Sequence, residues 1–411
     1  MGRPFITQLT QRPERMAFQP PKSDFELLAP APKTPGKRRI AIVTGTRAEF
    51  GLLKPVIVAI GRDPLLEAAV LVAGSHLLAP ANTHTEVRSA FRVAAVVPMQ
   101  APGAHTRIED AEAVGRGITR FARTFYKLNT DCVLVLGDRI EAFAAASAAS
   151  VGGVPLAHIH GGDRAEGVAD EAMRHAISKL AHVHFAASVQ SADRLVRMGE
   201  LPERVHNVGS PAMDGLDTIA ALDDEQARAV GDPQIVILHH PCGLTEAQER
   251  SHAAAIVEFA AAARKRTLVL APNFDPRRDA VLEVLRTAVS KNGWQFLDHL
   301  PREAFVGLLK RLATCSGLLI GNSSAGLIEA AAVNCRVVNV GPRQSGRESP
   351  GNVVHVPSPS SGAIVRALES HRMPLRAEHP YGDGQTGPRI AGVLASTDFD
   401  DPALIRKRCA Y

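Results

Sequence analysis

The chain has 411 residues, of which 45% are hydrophobic and 22% charged, and its 47 Lys and Arg stand against 42 Asp and Glu for a net charge of +5. That length exceeds the roughly 250–300 residues at which one core stops growing, so two domains are expected, and the composition excludes a disordered, collagen-like or coiled-coil chain. The small charge excess and 4% aromatics argue against a nucleic-acid partner; the absence of an ~18–20-residue apolar run or an apolar leader argues against a membrane span or signal peptide and for a cytoplasmic enzyme; and the five cysteines, lacking CxxC spacing, argue against disulfides and a zinc site.

Residues 1–36 carry prolines at 4, 13, 20, 21, 30, 32 and 35 without a sustained hydrophobic period, and read as a flexible extension. From Arg39 the pattern turns regular. The runs RIAIVTG, EAAVLVAG, DCVLVLGD, VPLAHIH and HVHFAAS alternate with Ala- and Leu-rich stretches of helical length, as βα units on a parallel sheet do. The runs are apolar throughout, which fits strands covered on both faces. An acidic connector near residues 217–233 is followed by a second series, QIVILHH, RTLVLAPN, WQFLDHL, SGLLIGN and CRVVNVG, each with a helix-like stretch after it. The expected fold is α/β, with two Rossmann-like doubly wound domains facing each other across a cleft, over 37–222 and 223–385. Residues 386–411 are expected to pack back on the amino-terminal domain. Open α/β sheets bind ligands at the carboxyl ends of their strands, so those ends hold the candidate residues.

The first strand ends in Thr44-Gly45-Thr46-Arg47-Ala48-Glu49, a phosphate-type turn without the GxGxxG spacing of dinucleotide sites. Arg47 at a helix amino terminus suits a phosphate, unless it pairs with Glu49 or a neighbouring carboxylate. Asp138 and Arg139 close the DCVLVLGD strand, where an Asp is also a common helix cap. About twenty residues on, His158-Ile159-His160-Gly161-Gly162-Asp163 ends the next strand, and neighbouring strands ~4.8 Å apart would let these groups act together. Asp170, Glu171, Arg174, His175 and Lys179 form a polar stripe at helical spacing. In the second half, His239 and His240 follow a strand; consecutive side chains point oppositely, so one imidazole faces the cleft, as acid, base or phosphate contact, and a metal pair is disfavoured. Asn273 and Asp275 follow the next strand, where turn chemistry is the plainer reading. Gly321-Asn322-Ser323-Ser324 supplies N–H groups and hydroxyls for a phosphate, with Glu329 placed to accept from a ribose diol. Arg343, Gln344 and Arg347 bring charge beside that turn.

Taken in order, TGTRAEFGLLKP, LGDRIEA, HIHGGD with GVADEAMRHAISKLAHVHF, HHP, PNFD, GNSSAGLIEA and VGPRQSGRE resemble the hydrolysing UDP-N-acetylglucosamine 2-epimerases of sialic and related nonulosonic acid biosynthesis, from about Arg39 to Gly384. The resemblance implies a glycosyltransferase-B-like pair of domains that eliminates UDP to a glycal and then adds water, releasing a free N-acetylmannosamine-type sugar. It implies no metal and no other cofactor. Arg47, His240, Asn273, Ser323, Ser324, Glu329 and Arg343 fall on nucleotide or phosphate positions, and Asp138, His160 and Asp170 where the family places acid/base groups. Asp163 joins the acid/base candidates on its chemistry, as does His240. Glu49, Arg139, Arg174, His175, Asp275, Gly321 and Asn322 complete the candidate binding set. Some members have Glu in place of His160, and commonly Glu in place of Asp163, which leaves open which side chain handles which proton and whether the sugar is a 2,4-diacetamido-6-deoxy relative. A homo-oligomer, dimer or tetramer, is expected. The rival readings are a non-hydrolysing epimerase, a retaining glycosyltransferase and a non-catalytic nucleotide-sugar sensor.

Overall fold

The apolar runs become strands of two parallel sheets in a computed structural model that describes residues 32–78, 83–101, 106–164, 170–273, 275, 277–372 and 379–410. Residues 1–31 of the expected extension and the side chain of Asp170 lie outside the described set. The first sheet comprises β1 (Arg38–Thr44), β2 (Leu66–Ala73), β3 (Val93–Val97), β4 (Cys132–Leu136), β5 (Leu156–Ile159), β6 (Val183–Ala186) and β7 (Val205–Asn207), in the order β3-β2-β1-β4-β5-β6-β7. Its connections carry α1 (Arg47–Arg62), α2 (His84–Ala90), α3 (Arg107–Leu128), α4 (Ile140–Val151), α5 (Asp170–Leu180) and α6 (Val189–Arg197).

The expected connector contains a short α7 (Asp224–Ala229), capped by Asp223. It leads into β8 (Ile235–Leu238), α8 (Glu246–Ala263), β9 (Thr267–Leu270), α9 (Arg278–Asn292), β10 (Gln295–Leu297), α10 (Arg302–Thr314), β11 (Leu318–Gly321), β12 (Arg336–Val340) and β13 (Val353–Val356), ordered β10-β9-β8-β11-β12-β13. A π-helical turn, Gly326–Ala330, follows β11, and α11 (Ser361–Ser370), α12 (Thr386–Ser396) and α13 (Pro402–Ile405) complete the described chain.

Two details depart from expectation. Strands β3, β7 and β13 are additional, and all three are sheet edges, where one side of the strand has no neighbour to bury it. The stretch after β12 is not a helix: Pro342, Gly346 and Pro350 break it into turns before β13.

Side chains of the first sheet alternate between two layers. Ile40, Ile42 and Leu134 pack with Phe50, Leu53 and Val56 of α1, while Ala41, Val43, Val133 and Val135 pack with Phe121 and Phe125 of α3 and the alanines of α4. Each large aliphatic or aromatic side chain buried this way contributes about 1.5–3 kcal/mol. Ile390, Ala391 and Leu394 of α12, with Phe399 and Leu404, enter the α1 layer rather than the second sheet's core. Asp214 caps α12 from a distance, its carboxylate accepting from Thr386 N at 2.9 Å and Gly387 N at 2.6 Å. The chain therefore crosses between the lobes twice, and the crossings touch: Ser210 N donates to Tyr381 O at 2.8 Å.

Candidate active site between the two sheets

The carboxyl ends of β1, β4 and β5 face those of β8, β9 and β11 across a cavity of about 440 Å³. Leu52, Ala212, Leu270, Phe305 and Ile328 supply apolar wall, and converging polar groups come from both lobes. A few fixed polar groups in an apolar cleft are what an oriented small ligand requires.

On the amino-terminal side, β4 and β5 are neighbours, with Leu136 opposite Ile159. This brings Asp138 and His160 to the same rim, and both line the cavity. Asp138 is ion-paired with Arg174 of α5, whose second arm donates to His160 O at 3.2 Å. The strand's other histidine points away from the cavity. His158 Nε2 lies 2.7 Å from Gly137 O, which can only accept, so Nδ1 must accept from Ser178 Oγ at 3.1 Å. Burial drives the His158 imidazole down to about 3, so it serves as a neutral peg under the Gly137–Asp138 turn.

His160 is the imidazole that reaches the cavity, from a left-handed backbone with φ 66°. Its Nδ1 is 3.0 Å from Asp163 Oδ2, and its Nε2 is 3.0 Å from Ser210 Oγ. Asp163 itself is fully buried behind the wall, where Ser191 Oγ donates to it at 2.8 Å and Arg347 Nη2, from the opposite lobe, at 3.2 Å. Burial pushes the Asp163 carboxyl up, but the adjacent His160 ring and the Arg347 charge outweigh that and hold it at about 2.

The β1–α1 turn is built on two carboxylates. Glu49 closes a capping box: its Oε2 accepts from Gly45 N at 2.9 Å and Thr46 N at 3.1 Å, while Thr46 Oγ1 accepts from Glu49 N. Arg47 therefore does not pair with Glu49; it finds Glu86 of α2, at 3.3 Å. Beneath the turn lies Glu141, buried, with no hydrogen-bond partner for either carboxylate oxygen among the described residues. A Cβ on Gly45 would stand 2.6 Å from its Cγ, so only glycine admits the carboxylate there. Burial, and then the Glu141 charge, push Glu49 up to about 7, against the pull of Arg139 and the Gly45 and Thr46 N–H groups.

Because this folded-state value lies above the ordinary 4.5, the native state binds the extra proton. The stability so gained is fully present at low pH and is lost as pH rises through about 7. Glu141→Gln removes the like charge. Its stability relative to the natural protein is expected to improve from about pH 5 to about pH 8, by at most about 1.4 kcal/mol per pH unit. Urea midpoints across that range check this, and a difference that is flat in pH would contradict it.

On the carboxyl-terminal side, His240 faces the cavity and His239 does not. His240 Nδ1 accepts from Asn273 N at 3.1 Å, so the neutral ring carries its proton on Nε2 and is a donor, as a phosphate oxygen needs. Burial and the Arg343 charge drive it down to about 3, which keeps it neutral. Asn322 clasps the His240 backbone on both sides, accepting from its N–H at 2.7 Å and donating to its carbonyl at 2.8 Å. Ser323 and Ser324 follow on the cavity wall, with Glu329 on the π-helical turn; burial raises the Glu329 carboxyl against the opposing charge of Arg302. Arg343 and Gln344 arrive from the turns after β12, Gln344 Nε2 donating to Asn322 O at 2.9 Å.

Of the candidate residues, Arg47, Glu49, Asp138, Arg139, His160, Arg174, His240, Asn273, Ser323, Ser324, Glu329 and Arg343 line the one cavity. Asp163, Gly321 and Asn322 stand behind it. So does Asp275, which ties Arg139 of one lobe at 3.2 Å to Arg343 of the other at 3.6 Å. His175 is not on the wall; its Nε2 lies 3.4 Å from Glu171. Several wall residues carried no signal in the sequence. His299 follows β10 in a segment without a motif, and Arg302, at the start of α10, is visible only once its Nη2 is seen holding Ala212 O at 2.8 Å. Among the described residues, no group of three or more His, Cys, Asp or Glu is arranged to hold a metal ion, and no helix is long and apolar enough to cross a membrane.

A profile of the family described as UDP-N-acetylglucosamine 2-epimerase matches residues 58–395. The chain is 34% identical to a UDP-N,N'-diacetylbacillosamine 2-epimerase (hydrolyzing) of Legionella pneumophila, over 89% of this chain and 98% of that protein. It is 32% identical to a UDP-N-acetylglucosamine 2-epimerase of Neisseria meningitidis, over 77% and 83%. Among solved structures, the UDP-GlcNAc 2-epimerase from Neisseria meningitidis bound to UDP-GlcNAc superposes with a TM-score of 0.74 at 19% identity, covering 87% of this chain and all of that one, which shows the shared two-sheet fold. With the profile matched over most of its length, the chain belongs to the UDP-N-acetylglucosamine 2-epimerase family.

Proposed function

We propose that the chain is a hydrolysing 2-epimerase of a UDP-linked 2-acetamido sugar, either UDP-N-acetylglucosamine or a 2,4-diacetamido-6-deoxy relative. A base removes the proton from C2 while the C1–O bond to the diphosphate breaks; the electron pair closes a C1–C2 double bond, and UDP leaves. Water then adds across that bond, hydroxyl to C1 and a proton to C2 on the opposite face, giving a free sugar of the manno configuration. The observation that carries this reading is one cavity lined by two complementary sets of groups. His240, Ser323, Ser324 and Arg343 form a fixed donor set in which the charge of a departing diphosphate is stabilised without reorganisation. Opposite them, Asp138 and His160 are proton-handling groups that Arg174 and Asp163 orient. The Legionella relative's name supports both the hydrolytic outcome and the diacetamido sugar.

The test is incubation with each UDP sugar in oxygen-18 water, followed by NMR. The expected result is free UDP and a 2-epimeric reducing sugar labelled at C1 from its first appearance. Conversion between two nucleotide sugars without label would instead indicate the non-hydrolysing reaction, and tight binding without turnover a sensor.

A further inference from the structure

Ser210 belongs neither to a strand nor to the cavity wall. It lies in the first crossing between the lobes, fully buried, with its N–H fixed on Tyr381 O of the second crossing. Its Oγ accepts from Ala212 N at 3.3 Å and lies 3.0 Å from His160 Nε2. A hydroxyl has one proton to donate and two lone pairs, of which the peptide N–H takes one. Ionised Asp163 can only accept, so the neutral His160 ring carries its proton on Nδ1, 3.0 Å away, and the Ser210 hydroxyl gives its proton to the bare Nε2.

We propose that Ser210 is a positioning residue for the reaction: together with Asp163 it selects the Nδ1–H tautomer of His160 and so keeps Nε2, the nitrogen that can receive a proton, unprotonated and in register with the cavity. The proposal rests on the epimerase reading for its catalytic meaning, but the tautomer does not. Without the Ser210 hydroxyl, Nε2 would lose its donor, and the ring would be free to move its proton or turn over. When Nε2 takes up a proton, the same hydroxyl reverses roles and accepts from it, so the ring changes charge without changing place.

The charged and titratable groups facing His160 set this balance. They are Asp163 on its own loop, Arg174 of α5 with its partner Asp138, Arg347 from the turns after β12, Glu329 on the π-helical turn and His158 on β5. Among the described residues only Asp163 and Ser210 bond the ring nitrogens, and of the two Ser210 is the neutral one, whose removal leaves the charge around the ring unaltered.

The experiment is a ¹H–¹⁵N correlation of histidine-labelled full-length protein, with the His160 signals identified by their loss in His160→Gln. In the natural protein the neutral ring is expected as Nδ1–H; finding Nε2–H overturns the proposal, whatever any variant does. Ser210→Ala is expected to mix the tautomers and lower kcat roughly ten-fold with KM within about two-fold, while Ser210→Thr, which keeps the hydroxyl, restores both. Equal losses in the Ala and Thr variants with an unchanged nitrogen pattern would mean that the site needs only the volume of serine, and the proposal is wrong. Should the tautomer be as stated while the natural protein turns over no nucleotide sugar, the assigned reaction is what fails.

Discussion

Replacement of Asp138 by Asn is expected to lower kcat by about three orders of magnitude, inside the 10²–10⁴ that a positioned acid or base contributes, while UDP affinity stays within about ten-fold. The asymmetry follows from the division of the cavity. Asp138 stands on the β4 rim with Arg174, and the proposed diphosphate donors His240, Ser323, Ser324 and Arg343 stand on the other lobe. Asn keeps an oxygen for Arg174, so the buried guanidinium is not stranded; removing a buried ion's partner outright costs about 3–5 kcal/mol. Single-turnover assays with UDP titration calorimetry separate the two effects. Near-normal turnover in the variant would remove Asp138 from the chemistry, and a parallel loss of UDP binding would show that the lobes do not divide the work.

Gly321→Ala is expected to destabilise the carboxyl-terminal lobe by about 3 kcal/mol or more, within the range reserved for backbone collisions in a packed core. Gly321 ends β11 at φ 151°, and a Cβ there would collide with the carbonyl of Leu238 on the neighbouring β8. Relief requires β8 and β11 to separate just where Asn322 clasps His240, so nucleotide affinity falls with stability. Calorimetry should show the unfolding midpoint down by about 6 °C or more, and UDP should recover part of it by mass action. A midpoint within about 1 °C of the natural protein would show that the turn yields more easily than its packing suggests.

Much of this architecture is legible in the sequence because buried parallel strands announce themselves. RIAIVTG, DCVLVLGD and SGLLIGN are apolar without alternation, and the cavity is lined at or just beyond the end of each, by Thr46 and Arg47, by Gly137 and Asp138, and by Ser323 and Ser324. The edges are less legible: β7 is Val205-His206-Asn207, three residues with no fully buried side chain. Cavity-lining candidates were readable where chemistry sits beside a strand end, as at Asp138, His160, His240 and Ser323. What could not be read is pairing across the lobes. Arg47, read as a phosphate contact unless paired with Glu49 or a neighbouring carboxylate, meets Glu86; Asp163 looked like a cavity acid and stands behind His160, in the reach of Arg347; Asp275 looked like turn chemistry and bridges Arg139 to Arg343. Ser210 carries no local pattern at all, since its role exists only when two distant crossings meet.

The embedding of Ile390, Leu394, Phe399 and Leu404 against α1 has a consequence for biosynthesis. The first sheet cannot close its α1 layer until α12, made after β13, has left the ribosome, whereas the second sheet, β8 to β13, is complete in one unbroken stretch. The order of synthesis and the order of completion are thus reversed: α1, packed early on the first sheet through Phe50, Leu53 and Val56, gains its remaining cover only when Ile390, Ala391 and Leu394 have been made.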